Sequence, residues 1–260
     1  MYENCDLAPL VSIITPSYNA EKYIEETIKS VQNQTYKNWE MIIVDDISTD
    51  QSINIIKKYS ESDKRIKYFI LNEKGGASLA RNKAIQEANG KYIAFLDSDD
   101  VWRSEKLEKQ VQFMEENSYD FTYHNYELIN ENSQKLNRLR KSPTSISYKR
   151  ALIGCSIGCL SAMYNCHTVG KVQIKRLDKR NDDALWLKKK KKCQSGYLLD
   201  ENLALYRVGN NSISSGSKTK LLKYHFQLYR NQDFSVVTSL FFTFTNIIIY
   251  FWNKGSEVKL

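Results

Sequence analysis

The chain has 260 residues, 42% of them hydrophobic and 26% charged, which supplies one large domain, or a domain with an appendage, and excludes a wholly disordered chain. A formal net charge of +8 favours an anionic partner, whether nucleic acid, a phosphorylated small molecule or the acidic leaflet of a membrane, without choosing among them. Five cysteines (Cys5, Cys155, Cys159, Cys166 and Cys193) make an odd set with no C-x-x-C pair, so neither a disulfide framework nor a zinc site is signalled, and a reducing cytoplasm is the simplest compartment.

Met1 to Leu10 carries Glu3 and Asp6 and has no basic start followed by an apolar stretch, so it does not read as a secretory signal. From there to residue 126, short β-rich apolar runs alternate with amphipathic stretches, the pattern of a mainly parallel, Rossmann-like α/β sheet flanked by helices. Val11 to Thr15 is expected as a strand, Ala20 to Gln34 as a helix with Ile24, Ile28 and Val31 at helical spacing, and Met41 to Val44 as the next strand. Ser48 or Thr49 is placed to cap a helix bearing Ile53, Ile56 and Tyr59; a strand at Ile66 to Leu71, a helix at Ala77 to Ala88 and a strand at Lys91 to Leu96 follow. A helix from Ser104 to about Asn117 and a strand at Asp120 to Tyr126 close this half. Asn130 to Ser147 is polar, mixes charges and holds Pro143, and so is expected as an exposed loop between a donor-binding and an acceptor-binding half. Phe234 to Trp252 has no Asp, Glu, Lys or Arg and almost reaches the length of a membrane span, although its Ser, Thr and Asn weaken that reading.

Polar clusters end three of the expected strands: Thr15-Pro16-Ser17-Tyr18-Asn19, Asp45-Asp46 and Asp97-Ser98-Asp99-Asp100. In a parallel sheet the carboxyl ends of the strands line one crevice, so these clusters are expected to meet. Carboxylates in a basic protein repel a phosphate unless a hard divalent cation stands between them. Asp97 and Asp99, two residues apart on a turn, suit Mg2+ or Mn2+ with the remaining positions filled by diphosphate and water. Each cluster also has a plainer reading: a turn or helix cap for Asp45 and Asp46, an acidic loop for Asp97 to Asp100, a surface ion pair for Arg81.

Val11 to Asn19, Ile43-Val44-Asp45-Asp46, Ala80-Arg81-Asn82 and Asp97-Ser98-Asp99-Asp100 occur in that order, and together they resemble the family 2 inverting glycosyltransferases. The resemblance implies a GT-A fold, with the turn at Pro16 to Tyr18 and Asp46 holding the base and ribose of a nucleotide, uridine being favoured. It further implies that Asp97 and Asp99 form the D-x-D metal motif and that Arg81 and Asn82 lie near the donor. Asn181-Asp182-Asp183-Ala184-Leu185-Trp186-Leu187 is similar to the family's acidic pair before an apolar helix, which makes Asp182 the catalytic base, with Asp183 as its alternative and a helix cap as the plainer role of Asp182. Trp186 is either an acceptor-stacking ring or a buried aromatic.

A narrower similarity, to transferases of teichuronic acid and capsule assembly, runs from Pro9 to about Ser215 and includes Ala204-Leu205-Tyr206-Arg207-Val208. Asn181 and Asp183 around Asp182, and the lysines from Lys188 to Lys192, depart from the usual pattern. The resulting expectation is a glycosyltransferase domain over residues 1–215, with a donor half at 9–126 and an acceptor half at 148–215, followed by a helical extension at 216–260. It would transfer a sugar from a nucleotide diphosphate, a UDP-sugar by preference, to a lipid-linked surface-polysaccharide intermediate, as a cytoplasmic protein peripheral to the plasma membrane's inner face. The basic residues mark no recognition helix or RNP-like strand, so nucleic acid is not an expected partner. The altered acidic pair keeps open a second class of function, a catalytically inactive nucleotide-sugar-binding scaffold.

Overall fold

The computed structural model describes residues 8–154, 157–173, 184, 186–187, 195–209, 218–252 and 257–259. Strands β1 (Val11–Ser17), β2 (Trp39–Asp45), β3 (Ile66–Ile70) and β4 (Tyr92–Phe95) form the parallel half of a sheet in the order β4-β1-β2-β3. Helices α1 (Ile24–Gln32), α2 (Ser52–Ser62) and α3 (Gly76–Glu87) connect them. Alternate residues of each central strand face opposite sides, so both sides need cover. Ile13, Met41 and Ile43 pack under α1 with Ile24, Ile28 and Val31, while Ile14, Ile42 and Val44 pack under α3 with Ala80, Ala84 and Ile85.

After β4 the chain forms β5 (Val101–Trp102), α4 (Lys106–Asn117), β6 (Phe121–Ile129), β7 (Lys135–Arg140) and β8 (Ser145–Ser147). Short helices α5 (Tyr148–Leu152) and α6 (Cys166–Val169) bracket β9 (Met163–Asn165), which lies antiparallel between β4 and β6. Strand β10 (Ser195–Arg207) runs parallel to β6 and antiparallel to β5 and β8. Helices α7 (Lys218–Asn231) and α8 (Val236–Trp252) follow, and β11 (Glu257–Lys259) returns to pair antiparallel with β7.

Several expectations are corrected. The α/β sheet has its parallel pairs in β4-β1-β2-β3 and again between β6 and β10; what the expectation lacked is β9, which runs antiparallel to both β4 and β6. The expected loop at 130–147 holds β7 and β8; β7 has neither face in the core and so gave no period-two apolar signal, and β8 is three residues long with Ile146 as its buried position. Ser48 and Thr49 do not cap α2, which begins at Ser52 behind Gln51, and the extension expected as helical at 216–260 holds, besides α7 and α8, the strand β11 paired with β7.

Candidate active site

The three polar strand ends meet at one edge of the sheet. In the parallel register of β1 and β2, Pro16 lies opposite Val44 and Ser17 opposite Asp45. Asp46 N donates to Ser17 O at 2.8 Å, and Leu96 N donates to Ile14 O at 3.1 Å, so the turns after β1, β2 and β4 start level with one another. The first two are then laced together: Asn19, at φ 45, donates its N–H to Ser48 Oγ at 2.8 Å and accepts from Thr49 N at 2.9 Å.

The two aspartates after β2 divide their work. Asp45 closes its own turn, accepting from Ser48 N at 2.7 Å and from Ser48 Oγ at 2.6 Å, which is where the expected helix cap is used instead. Ile47 follows at φ 60, a left-handed conformation that a β-branched residue adopts only under constraint. Asp46 is buried, and its carboxylate accepts from Gly75 N at 2.7 Å and Gly76 N at 2.9 Å, so it neutralises the positive end of α3. Gly76 sits at φ +69, a conformation that suits glycine. A carboxylate has about four acceptor positions, and those not taken by the two glycines remain for a ligand.

Tyr18 forms the rim. It is 48% exposed, and Lys74 donates to its hydroxyl at 2.9 Å with Nζ 4.7 Å from the ring centroid. That hydrogen bond holds the exposed Lys74 ammonium above its usual pKa. A flat ring and a fixed cation therefore stand beside the Asp46 turn. Pro16 is buried in β1 below them. Across the crevice, Arg81 is buried on α3 and pairs with Asp97, whose side chain is 30% exposed; Asn82 is its half-buried neighbour.

The Asp97 to Asp100 turn is closed by Asp100 N donating to Asp97 O at 3.1 Å. Asp99 keeps one side open to solvent, yet desolvation inside the crevice and then the charge of Asp97 push its carboxyl up to about 6. Asp100 is buried and lies well above the usual range because of burial, with Asp99 and Asp97 adding to the effect. The residue that fixes this turn is Arg207, at the end of β10. Its N–H donates to Asp100 Oδ1 at 2.9 Å and its Nε to Asp99 O at 2.8 Å. Its Nη1 donates to Asn130 O at 3.1 Å and Ser133 Oγ at 2.9 Å, and its Nη2 to Glu26 Oε2 at 2.6 Å, while the guanidinium lies 4.3 Å from the Tyr23 ring centroid. In the sequence Arg207 stands out only as part of the Tyr206-Arg207 pair. Its separation of 181 positions from Glu26 hid what it does.

The remaining expected residues lie elsewhere. Asp182 and Asp183 are outside the described residues. Trp186 is wholly buried, 5.1 Å from Phe95 and 5.5 Å from Phe121 between ring centroids; of its two readings, the buried aromatic is the one adopted, and an acceptor sugar has no open face of this ring to stack on in this conformation.

Among the described residues no group of three or more His, Cys, Asp or Glu converges as a metal centre. The pair Asp97 and Asp99 nevertheless fits a divalent cation that takes part of its coordination from the substrate. Both donors are hard oxygens, and the Asp99 carboxyl is raised by desolvation and then by the charge of Asp97, both of which a bound cation would counter.

A family model described as "Glycosyl transferase family 2" matches residues 12–167. The chain belongs to that family. The match takes in every donor-side residue from Pro16 to Asp99 and stops before Asp182. This family 2 glycosyltransferase is 46% identical over 222 residues to the putative teichuronic acid biosynthesis glycosyltransferase TuaG of Bacillus subtilis (strain 168), covering 85% of this chain and 88% of that protein. It is 40% identical over 223 residues to WfgD of Escherichia coli, a UDP-Glc:alpha-D-GlcNAc-diphosphoundecaprenol beta-1,3-glucosyltransferase, covering 82% of this chain and 83% of that one. Among solved structures, S. aureus TarS 1-349 in complex with UDP-GlcNAc superposes with a TM-score of 0.73 at 22% identity, covering 94% of this chain and 73% of TarS. The mannosyltransferase PcManGT from Pyrobaculum calidifontis, in complex with GDP-Man and Mn2+, does so with a TM-score of 0.63 at 14% identity, covering 97% of this chain and 78% of that one. The glycosyltransferase thus has the GT-A fold, with the mixed sheet described above.

Proposed function

We propose that this glycosyltransferase moves a sugar from a UDP-sugar to a lipid-linked intermediate of a surface polysaccharide, inverting the anomeric centre. The reading is supported by one arrangement above all: Tyr18, Asp46, Asp97 and Asp99 follow the level carboxyl ends of β1, β2 and β4, Asp46 accepts from the first amides of α3, and Arg81 on that helix pairs with Asp97. The likeness to WfgD, whose name gives a UDP-sugar donor and a diphosphoundecaprenol-linked acceptor, supports the choice of substrates, and inner-face localisation belongs to the same proposal.

In this reading Tyr18 and Asp46 bind the nucleoside, the ring by stacking and the carboxylate by accepting a hydrogen bond from the base. Lys74 and Arg81 offer positive charge to the diphosphate. Asp97 and Asp99 would hold Mn2+ or Mg2+, which when bound neutralises charge on the departing diphosphate. Asp182, with Asp183 as the alternative, accepts the proton of the acceptor hydroxyl as its oxygen attacks the anomeric carbon and the bond to the diphosphate breaks on the opposite face. The protonated aspartate and UDP are then the by-products, so atoms and charge balance without a further reactant. Trp186 takes no part unless its helix repacks.

A panel of UDP-sugars is to be offered with a polyprenyl-diphosphate-linked sugar, and the product's anomeric configuration read by NMR. Transfer with inversion, lost in Asp182→Asn, is the expected result. A product with retained configuration, or full transfer by both Asp182→Asn and Asp183→Asn, would overturn the mechanism; UDP binding with no transfer and no hydrolysis for any sugar would turn the assignment to a scaffold.

A further inference from the structure

Helix α8 is inside out for a protein surrounded by water. Its residues Ser239, Thr243 and Asn246 are buried, while Val237 is 77% exposed, Phe241 62%, Phe244 59% and Ile248 61%, with Leu240 at 44% beside them. The exposed positions recur at helical spacing, so they form one continuous apolar stripe. Thr243 and Asn246 find partners within the protein, whereas the Ser239 hydroxyl is buried with no hydrogen-bond partner among the described residues. Thr243 Oγ1 donates to Ser239 O at 2.7 Å, and Asn246 Nδ2 donates to Leu152 O at 2.8 Å and to the Tyr229 hydroxyl, which itself donates to Leu152 O. Phe242 anchors the inner face against Tyr229 and Phe234. The helix is therefore docked in one orientation, and its greasy side is the side turned outward.

We propose that α8 lies in the plane of an anionic phospholipid leaflet with this stripe inserted below the headgroups. Two observations select lipid over another occupant. The first is charge complementarity: from Lys218 to Trp252 the sequence carries Lys218, Lys220, Lys223 and Arg230 against Asp233 as its acid, and Lys223 and Arg230 are exposed on α7, next to α8. The second is that α8 itself bears no charge over its 17 residues, which suits a hydrocarbon boundary along its whole length. Crossing the bilayer is a different matter. Seventeen residues rise about 25 Å against about 30 Å of hydrocarbon, and no helix among the described residues is long and apolar enough to span a membrane. The geometry is thus that of an in-plane helix, which deepens the proposed function by holding the crevice near a lipid-linked acceptor, and it rests on that reading for its purpose though not for its physics.

The test is co-sedimentation of the full chain with vesicles of phosphatidylglycerol and phosphatidylcholine, and with phosphatidylcholine alone. Binding to the anionic vesicles is expected, weakened by salt, and lowered at least about tenfold in Phe241→Ser/Phe244→Ser, because two large apolar groups leave the boundary. Both positions are exposed, so far-UV circular dichroism and thermal melting should match the parent chain. Equal binding by the double variant, no binding by the parent chain, or a parent dimer in sedimentation equilibrium that the double variant converts to monomer without any vesicle binding would each overturn the proposal, the last by showing that a second copy covers the stripe. UDP-sugar hydrolysis measured without vesicles reports separately on the transferase reading, so vesicle binding without turnover leaves the anchor standing and removes only its purpose.

Discussion

Arg207→Lys isolates geometry from charge at the acidic turn. The arginine side chain is 2% exposed and makes four hydrogen bonds, to Asp99 O, Asn130 O, Ser133 Oγ and Glu26 Oε2, from a planar fork that lysine cannot reproduce. A lysine ammonium would keep the bond to Glu26 and lose the other three; at about 1 kcal/mol for each neutral acceptor left behind, the loss of stability is about 3 kcal/mol. The effect on turnover is larger than the effect on folding suggests, because Asp99 hangs from the carbonyl that Nε holds, and a shift of about 1 Å in a positioned group costs about 10²-fold in rate. Urea unfolding gives the first number. Release of UDP from a UDP-sugar, at a temperature where both proteins are folded and as a function of Mn2+, gives the second. The apparent metal affinity should fall together with turnover, a readout that mere loss of stability would not move. A folded Arg207→Lys with parental turnover and parental metal dependence would refute the argument that β10 positions the turn.

Ile47 occupies the left-handed region at φ 60, so Ile47→Gly relieves backbone strain of about 1–2 kcal/mol and is expected to raise the urea midpoint despite the glycine's greater unfolded-state entropy; a lower midpoint would show that the side chain's packing dominates. Asp46→Ala strands the N–H groups of Gly75 and Gly76 and is expected to cost about 1–2 kcal/mol in stability as well as UDP affinity, checked by unfolding and calorimetry; Asp46→Asn, which keeps a carbonyl oxygen, should recover most of the stability and little of the UDP binding. Lys106 is buried with no hydrogen-bond partner for Nζ among the described residues, 3.7 Å from the Trp102 ring centroid, and burial holds its pKa well below 10.5. Between the lowered folded value and the unfolded one, the unfolded chain carries a proton that the folded chain lacks, so stability rises with pH by about 1.4 kcal/mol per unit. His124, held near 3 by burial, makes its own contribution below its unfolded value, so the Lys106 slope is read above the histidine range and below the unfolded lysine value. Lys106→Met should remove that slope and stabilise the protein most at the lower end of the window; parallel stability curves for the two proteins would contradict a neutral Lys106.

The parallel first half of the sheet was legible because its pattern is local. Each strand is a short apolar run that ends in its own polar cluster, and a parallel sheet brings such ends together without any information from distant sequence. Ile13 and Ile14 illustrate the logic: neighbours in sequence, they enter opposite cores, as continuous apolar runs covered on both faces require. What escaped was long-range or edge structure. Strand β7, reading Lys-Leu-Asn-Arg-Leu-Arg, is exposed along most of its length and is held by ladder bonds to β6 and β11 rather than by burial, so it carries no apolar period. The short β9 owes its place to pairing on both sides with β4 and β6. At the site, Asp46 was legible as an acid at a strand end, but its contact with the α3 amides depends on the close approach of Gly75 and Gly76, 29 and 30 positions away.

The wiring of the acidic turn explains how so many carboxylates can be stored in one place without collapsing the crevice. A direct ion pair to every aspartate would immobilise them and consume the negative charge that would hold a cation. Among the described residues, such a pair is made to Asp97, through Arg81. Asp99 is held by its carbonyl, which accepts from Arg207 Nε, and Asp100 receives a main-chain N–H from the same residue. The Arg207 guanidinium also pairs with Glu26 on α1, and its charge offsets part of the rise in the Asp99 and Asp100 carboxyls. The backbone of the turn is thereby fixed while desolvation and the charge of Asp97, against the charges of Arg207 and Arg81, leave the Asp99 carboxyl raised to about 6; positive charge entering there would lower it. Binding sites that store unrelieved charge in this way gain affinity from the relief, which is why the rigid partner of the D-x-D turn is expected to be as necessary to metal-dependent turnover as the aspartates themselves.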